Sequence, residues 1–447
     1  MKPMSTRRKL ALTILAVIVV VGAGVAWVML PPRALSFAGG DAVRLADYSG
    51  PSPVGVPAEL SAADLVRRGE YLAKAADCEV CHTTEGGQLF AGGRAFKTQF
   101  GTLYSPNITA DKQTGIGDWS DADFVRAVHK GVARDGSHLY PAFPYESYTL
   151  LTDEDVLAIK AYLFSLPTAH ATAPPNALAF PFNQRQLMGI WSIFYNPDQR
   201  FRPHQDRSPA WNRGAYLAEA LAHCGDCHTP RNLAQALDNR QKFAGTVTQG
   251  WRAYNVTSDK GSGIGDWTDE EVATYLATGH VVGRGSAGGP MAEAVDASFS
   301  TLSPADIHAI VAYLRSVPPI STPDLPAPRA TPASDMPKTM AASFDPRGKQ
   351  IFEGVCASCH SWSGVSLLTS YATLTGDRAV NDPSAVNVAQ IVISGQRRLT
   401  PDGVVMMPGF GAAYSDTEIA AVANYVTARF GAKGSAVTAK DVAKLRQ

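Results

Sequence analysis

Three pentapeptides concentrate the reactive side chains of this chain: Cys78-Glu79-Val80-Cys81-His82, Cys224-Gly225-Asp226-Cys227-His228 and Cys356-Ala357-Ser358-Cys359-His360. A C-x-x-C-H pentapeptide on a helix offers two thiols to the vinyl groups of one haem and puts the next imidazole where it can ligate the iron. The pattern specifies covalent haem attachment, with Cys78, Cys81, Cys224, Cys227, Cys356 and Cys359 as thioether donors and His82, His228 and His360 as axial ligands. These are all 6 cysteines, so none is left for a disulfide or a redox-active thiol. A structural zinc site needs four ligands, and pairs about 130 to 150 residues apart, each followed at once by His, supply them badly. A thioredoxin-like site wants one such motif in a βαβ setting.

The sixth ligand of such an iron usually comes from a methionine well downstream. Met407, in Met407-Pro408-Gly409, suits the third motif, with Met406 as its competitor; Met291, after Gly288-Gly289-Pro290, holds the matching place in the second. The corresponding slot of the first repeat is Phe143, within Leu139-Tyr140-Pro141-Ala142-Phe143-Pro144-Tyr145, and phenylalanine cannot bind iron. Met188 and His138 are the substitutes there, and an open or water-bound iron is the third option.

The elements that position these groups recur. Arg68-Gly69-Glu70-Tyr71-Leu72-Ala73, Arg213-Gly214-Ala215-Tyr216-Leu217-Ala218 and Arg347-Gly348 each open an amphipathic helix that delivers a cysteine pair. Asn107-Ile108-Thr109 with Gly115-Ile116-Gly117-Asp118-Trp119 returns as Asn255-Val256-Thr257 with Gly263-Ile264-Gly265-Asp266-Trp267. A short helix should open on Ser120, Thr268 or Ser384 and close on Gly131, Gly279 or Gly395. A last helix should open on the capping-box pairs Thr152/Asp155, Ser303/Asp306 and Ser415/Glu418. Its apolar residues, among them Val156, Ile159 and Leu163, keep helical periodicity. Tyr162, Tyr313 and Tyr425 in these helices read first as core residues and second as haem contacts.

Residues 1–9 are basic, and Leu10 to Leu30 runs without a charge, about 30 Å of helix and enough to cross a bilayer. An uncleaved anchor with the remainder outside the cytoplasm is expected; a signal peptide is the competing reading. Lysine plus arginine equals aspartate plus glutamate at 40 each in 447 residues, so nothing favours nucleic acid as a partner. With 39 Gly and 30 Pro the chain is rich in loops, yet 45% hydrophobic residues still support packed cores. The expected order is a basic flank and transmembrane anchor (1–35), domains at 55–172, 206–320 and 344–434, linkers at 173–205 and 321–343, and a tail (435–447) with a short helix near Asp441 to Leu445.

These motifs, with Leu-Tyr-Pro-Ala-x-Pro-Tyr at 139–145 and Met-Pro-Gly-Phe at 407–410, resemble the triple-haem cytochrome c subunit of membrane-bound bacterial dehydrogenases for alcohol, aldehyde, gluconate, sorbitol or fructose. The resemblance covers roughly residues 60–435. It implies a mainly α chain of three tandem class I-like cytochrome c domains, each with a covalent haem c. It also implies a catalytic dehydrogenase partner (a molybdopterin, quinoprotein or flavoprotein subunit, with or without a small iron–sulfur subunit) and relay of electrons to ubiquinone at the periplasmic face of the inner membrane. Phe143 and the anchor lean towards the aldehyde dehydrogenase type. In this family the region of Asn107, Trp119, Asn255 and Trp267 resembles a loop along a haem edge; amide and indole donors suit propionates, and turn and cap roles are the alternative. Phe143 also motivates a different class, a haem enzyme such as a peroxidase or a thiosulfate-oxidising cytochrome acting at the first haem.

Overall fold

The computed structural model describes residues 6–329, 345–400 and 403–446. The greater part of the Pro-rich stretch expected as a linker, from 330 to 343, lies outside them. Helix α1 (Thr6–Met29) contains the apolar stretch Lys9–Met29, none of which is buried against protein. It is the one helix among the described residues long and apolar enough to cross a membrane, a test that a signal sequence also passes.

The first repeat runs α2 (Leu65–Ala75), the motif helix α3 (Cys78–His82), a hairpin β1 (Ala95–Thr98) and β2 (Gly101–Tyr104), then α4 (Asp121–Lys130), α5 (Tyr145–Tyr148) and α6 (Asp153–Ser165). The stretch expected as a linker is partly built. Residues Ala177–Leu178 (β3) add an antiparallel third strand to β2, and α7 spans Gln186–Tyr195. The second repeat has α8 (Pro209–Tyr216), a π-helical turn at Leu217–Leu221, α9 (Gly225–His228), the hairpin β4 (Thr246–Thr248) and β5 (Trp251–Ala253), and α10 (Asp269–Thr278). It closes with the hairpin β6 (His280–Val281) and β7 (Gly285–Ser286), α11 (Pro290–Ala297) and α12 (Pro304–Ser316). The third has α13 (Pro346–Ile351), a π-helical turn at Phe352–Cys356, α14 (Ala357–His360), α15 (Val386–Ser394), the hairpin β8 (Gln396–Thr400) and β9 (Gly403–Met407), α16 (Asp416–Phe430) and α17 (Ala439–Leu445).

In every repeat the first helix crosses the last at the glycine of the Arg-Gly pair. A Cβ on Gly69 would stand 1.9 Å from the Ala158 carbonyl oxygen, one on Gly214 1.8 Å from that of Ala309, and one on Gly348 2.2 Å from that of Ala421. Backbone therefore touches backbone, and the motif that follows is held at a fixed angle to the last helix. Tyr313 and Tyr425 are buried in these crossings, as expected of core residues, whereas Tyr162 is half-buried.

The capping expectations divide. Ser120 and Thr268 form full capping boxes, and Gly131 and Gly279 close their helices in the left-handed conformation (φ 64° and 72°). The third short helix starts instead from Ala385, at φ 50°, one residue beyond Ser384. Thr152 and Ser303 accept the expected backbone N–H groups, but Asp155 and Asp306 do not return the bond. They have stronger partners in the other repeat. The Tyr216 hydroxyl donates to Asp155 Oδ2, and the Tyr71 hydroxyl donates to Asp306 Oδ2 at 2.6 Å. Arg213 holds the same Asp306 at 2.7 Å from within its own repeat.

This exchange, nearly two-fold symmetric, makes one continuous buried cluster of the first two repeats, whereas the third has its own. The second and third meet through polar groups: Arg252 with Asp382 at 3.1 Å, Arg398 with Asp296 at 3.0 Å, and Asn387 on the backbone of Arg252.

Substituting Gly214→Ala forces two backbones apart in a full core and should cost about 1–3 kcal/mol of stability. Chemical denaturation followed by circular dichroism measures it, and an unchanged midpoint would contradict the close crossing.

Candidate haem sites

Each motif helix follows directly on the crossing helix. Asp77 takes a left-handed conformation (φ 54°) to turn the chain from α2 into α3, and His223 does the same (φ 35°) before Cys224. In all three motifs the histidine ring is anchored by one nitrogen. His82 Nδ1 lies 2.9 Å from the Pro106 carbonyl, His228 Nδ1 2.6 Å from that of Tyr254, and His360 Nδ1 2.7 Å from that of Ala372. A nitrogen facing a carbonyl must carry the proton. Burial pushes the pKa of all three imidazoles down, so each is neutral and its lone pair sits on Nε2. That is the state in which histidine binds a metal, with the second bond fixing the ring.

The thiols suit attachment better than thiol chemistry. Burial pushes Cys78, Cys81 and Cys224 up to about 12, and Cys227 and Cys356 up to about 11. A nucleophilic or redox cysteine needs the opposite shift. No disulfide joins any pair. Free thiols, one free imidazole lone pair and an adjoining apolar wall form the donor set that a covalently attached porphyrin requires. That wall includes Phe143 and Met291 in the first cluster and Met407 in the second.

Strand alternation separates the two methionines of the third repeat. Met406 points out and is 67% exposed, whereas Met407 packs in the same buried cluster as Cys356. Met291 opens α11 half-buried against the shared core. Phe143 packs its ring on Tyr148, 5.4 Å between centroids. His138 lies against the backbone of Gly189, and its Nδ1 is buried with no hydrogen-bond partner among the described residues; Met188 is half-buried.

Asn107 and Asn255 are not free for propionates. Their amides donate to the Ala169 and Ile320 carbonyls at 2.6 Å, and their oxygens accept from Thr109 and Thr257. They are hubs that hold the loop carrying the Pro106 and Tyr254 carbonyls, so the turn role is the correct one. Trp119 and Trp267 are half-buried, with no hydrogen bond at the indole N–H among the described residues.

Two aromatic bridges escaped the sequence. Tyr148 donates to the Ala76 carbonyl at 2.7 Å, beside the first motif, and meets the ring of His223 edge-on at 5.5 Å, beside the second. His280 stacks on Tyr371 at 4.1 Å, and the residue after Tyr371 supplies the carbonyl that holds His360. These rings occupy loop, single-turn or two-residue strand positions with no periodicity to flag them.

Cysteine pairs followed by an anchored histidine on a short helix are the attachment geometry of a c-type cytochrome. The cytochrome c family model matches residues 66–167, and the model described as cytochrome C oxidase, cbb3-type, subunit III matches residues 345–426. The fructose dehydrogenase cytochrome subunit of Gluconobacter japonicus is 37% identical over 401 residues, covering 85% of this chain and 82% of the relative. The cytochrome c subunit of the quinone alcohol dehydrogenase of Gluconacetobacter polyoxogenes is 35% identical over 402 residues, covering 86% and 84%. A component of the nicotinate dehydrogenase of Pseudomonas putida is 39% identical over 372 residues; that match covers 83% of this chain but only 31% of the longer relative. The chain belongs to the cytochrome c subunits of dehydrogenase complexes, carriers of haem c that transfer electrons and leave substrate oxidation to another subunit.

The Asp77 carboxylate has one oxygen shut off from water with no hydrogen-bond partner among the described residues, and burial raises its pKa from 3.8 to about 7. Its charge therefore weighs on the folded state above pH 7 and disappears from both states below about pH 4. Asp77→Asn should raise the unfolding temperature at pH 8 relative to wild type by more than it does at pH 4. An equal difference at both pH values would contradict the buried charge.

Proposed function

We propose that this chain is a triple-haem electron-transfer subunit anchored by α1 in the bacterial inner membrane, with its haem repeats in the periplasm. It takes electrons from a catalytic dehydrogenase subunit, alcohol- or aldehyde-oxidising, and passes them through three haems to ubiquinone. The partner is a molybdopterin, quinoprotein or flavoprotein subunit, with or without a small iron–sulfur protein. Cys78, Cys81, Cys224, Cys227, Cys356 and Cys359 carry the porphyrins, His82, His228 and His360 bind the irons, and Met291 and Met407 complete the second and third.

The observation that carries this reading is the pair of aromatic contacts between repeats, Tyr148 on His223 from the first to the second and His280 on Tyr371 from the second to the third. Haem supplies the one-electron chemistry, and the chain supplies ligation, orientation and exclusion of water. The aldehyde lean rests on Phe143 and the N-terminal helix. The relatives' roles in dehydrogenase complexes support a carrier over an independent haem enzyme.

Losing a thioether ligand lowers a haem's potential. Met407→Ala and Met291→Ala should each shift one haem downward in a redox titration, open it to carbon monoxide and slow quinone reduction, while Met406→Ala leaves all three as they are. Unchanged titrations in both ligand variants would refute the assignment. His280→Ala should slow electron exchange between the second and third haems, read by pulse radiolysis of the purified haem-loaded chain. An unaltered rate would remove the stacked pair from the path.

A further inference from the structure

We propose that the cavity between the end of α1 and the loop after the second haem motif binds the headgroup of a membrane quinone. This rests on the reading of the chain as a quinone-reducing relay, and it names where that transfer takes place. The cavity measures about 480 Å³. Trp27 and Val28 line one side; Arg231, Asn232, Leu233 and Gln235 line the other.

The lipid side follows from α1 and α7. The Tyr195 hydroxyl of α7 and the Asn232 amide both donate to the Met29 carbonyl, at 2.8 and 3.1 Å, and the Arg240 guanidinium binds the Trp27 and Val28 carbonyls while lying over the Trp27 ring. The end of the apolar helix is therefore fastened to the second repeat. Beside it α7 turns Ile190, Ile193 and Phe194 outward, and Leu233 at the cavity is 83% exposed. Large apolar side chains turned outward beside the end of a membrane-length helix are stable when acyl chains cover them, and Trp27 and Tyr195 sit where interfacial aromatics gather. The cavity mouth thus opens at the boundary between lipid and water.

The haem side is equally close. Arg231 donates to Asp226 Oδ1 at 3.1 Å, and Asp226 stands between Cys224 and Cys227.

The polar groups favour a neutral ligand. Arg231 is already paired with Asp226 and Glu146, and Arg240 with Asp238, which leaves little net positive charge for a phospholipid headgroup. Gln235 is different. Its side-chain amide makes no hydrogen bond among the described residues, and its backbone is held at φ 64°, a conformation glutamine rarely adopts, by the bond from Arg231 to its carbonyl. A free amide donor on a fixed backbone beside Trp27 and Leu233 suits a flat, apolar ring with carbonyl oxygens at its edge. Reduction there turns both carbonyls into hydroxyls with two electrons and two protons. The electrons come from ferrous haem, which becomes ferric one electron at a time, and the protons come from interfacial water.

The test uses the full-length haem-loaded chain in phosphatidylcholine vesicles, with an azido-ubiquinone for photolabelling and decylubiquinol as reductant. Gln235→Gly removes the amide and relieves the backbone strain, so it folds at least as well as wild type; Leu233→Ser changes a side chain that supports no core. Wild type should be labelled on the peptide from Arg231 to Arg240. Each variant should lose most of that label and about tenfold in the rate at which quinol reduces the haems, roughly the worth of one good contact, with the dithionite-reduced spectrum unaltered. Labelling elsewhere, or variants that match an active wild type, would overturn this site and leave the relay standing. A wild type that the azido-ubiquinone does not label and decylubiquinol does not reduce would overturn the relay and the site together.

Discussion

Bare backbone against backbone at Gly69, Gly214 and Gly348 sets the rest of the structure. With no side chain between them, the first and last helices of each repeat lock at one distance. The chain leaving the first helix then has a single direction in which to present Cys-x-x-Cys-His. The π-helical turns at Leu217–Leu221 and Phe352–Cys356 belong to the same constraint, because they adjust the rotation of the chain immediately before the cysteines. Downstream, the Asn107 and Asn255 hubs hold the carbonyls that orient His82 and His228. The free imidazole nitrogen is therefore presented by a chain of contacts that begins at a glycine.

The reciprocal bonds of Tyr71 and Tyr216 carry this order from one repeat to the next. Each hydroxyl takes over a carboxylate that would otherwise complete a local capping box. Asp306 is also neutralised by Arg213, so the buried charge is paired as well as hydrogen-bonded. In the third repeat Glu418 keeps its own capping box, and that repeat has a separate core. The first two repeats share one core. The third is joined to them by ion pairs, amide contacts and the stacked rings of His280 and Tyr371.

Much of this was legible in the residues. The cysteine motifs, the glycine of each Arg-Gly pair and five of the six helix-opening caps are short-range signals with one physical meaning, and they lie where the spacing placed them. Ser384 failed because Ala385 adopts a left-handed conformation that no propensity favours. Asp155 and Asp306 escaped because a capping-box spacing does not tell whether a stronger partner waits in another repeat. The stretch from 173 to 205 looked like a linker because prolines hide periodicity, yet it contains a strand and a helix whose apolar face points outward. Met406 and Met407 look alike in sequence, and the two-residue period of β9 sets them apart in packing, with Met406 outward and Met407 against the cluster of Cys356.

The central claim is that one polypeptide holds three thioether-bound haems in a single conducting series. Intact-mass spectrometry of the purified mature chain, with the alkaline pyridine haemochrome of the same sample, tests it most directly. The account predicts three haem additions per chain and no free thiol. Two additions or fewer, or a cysteine pair open to alkylation at 78–81, 224–227 or 356–359, would contradict it.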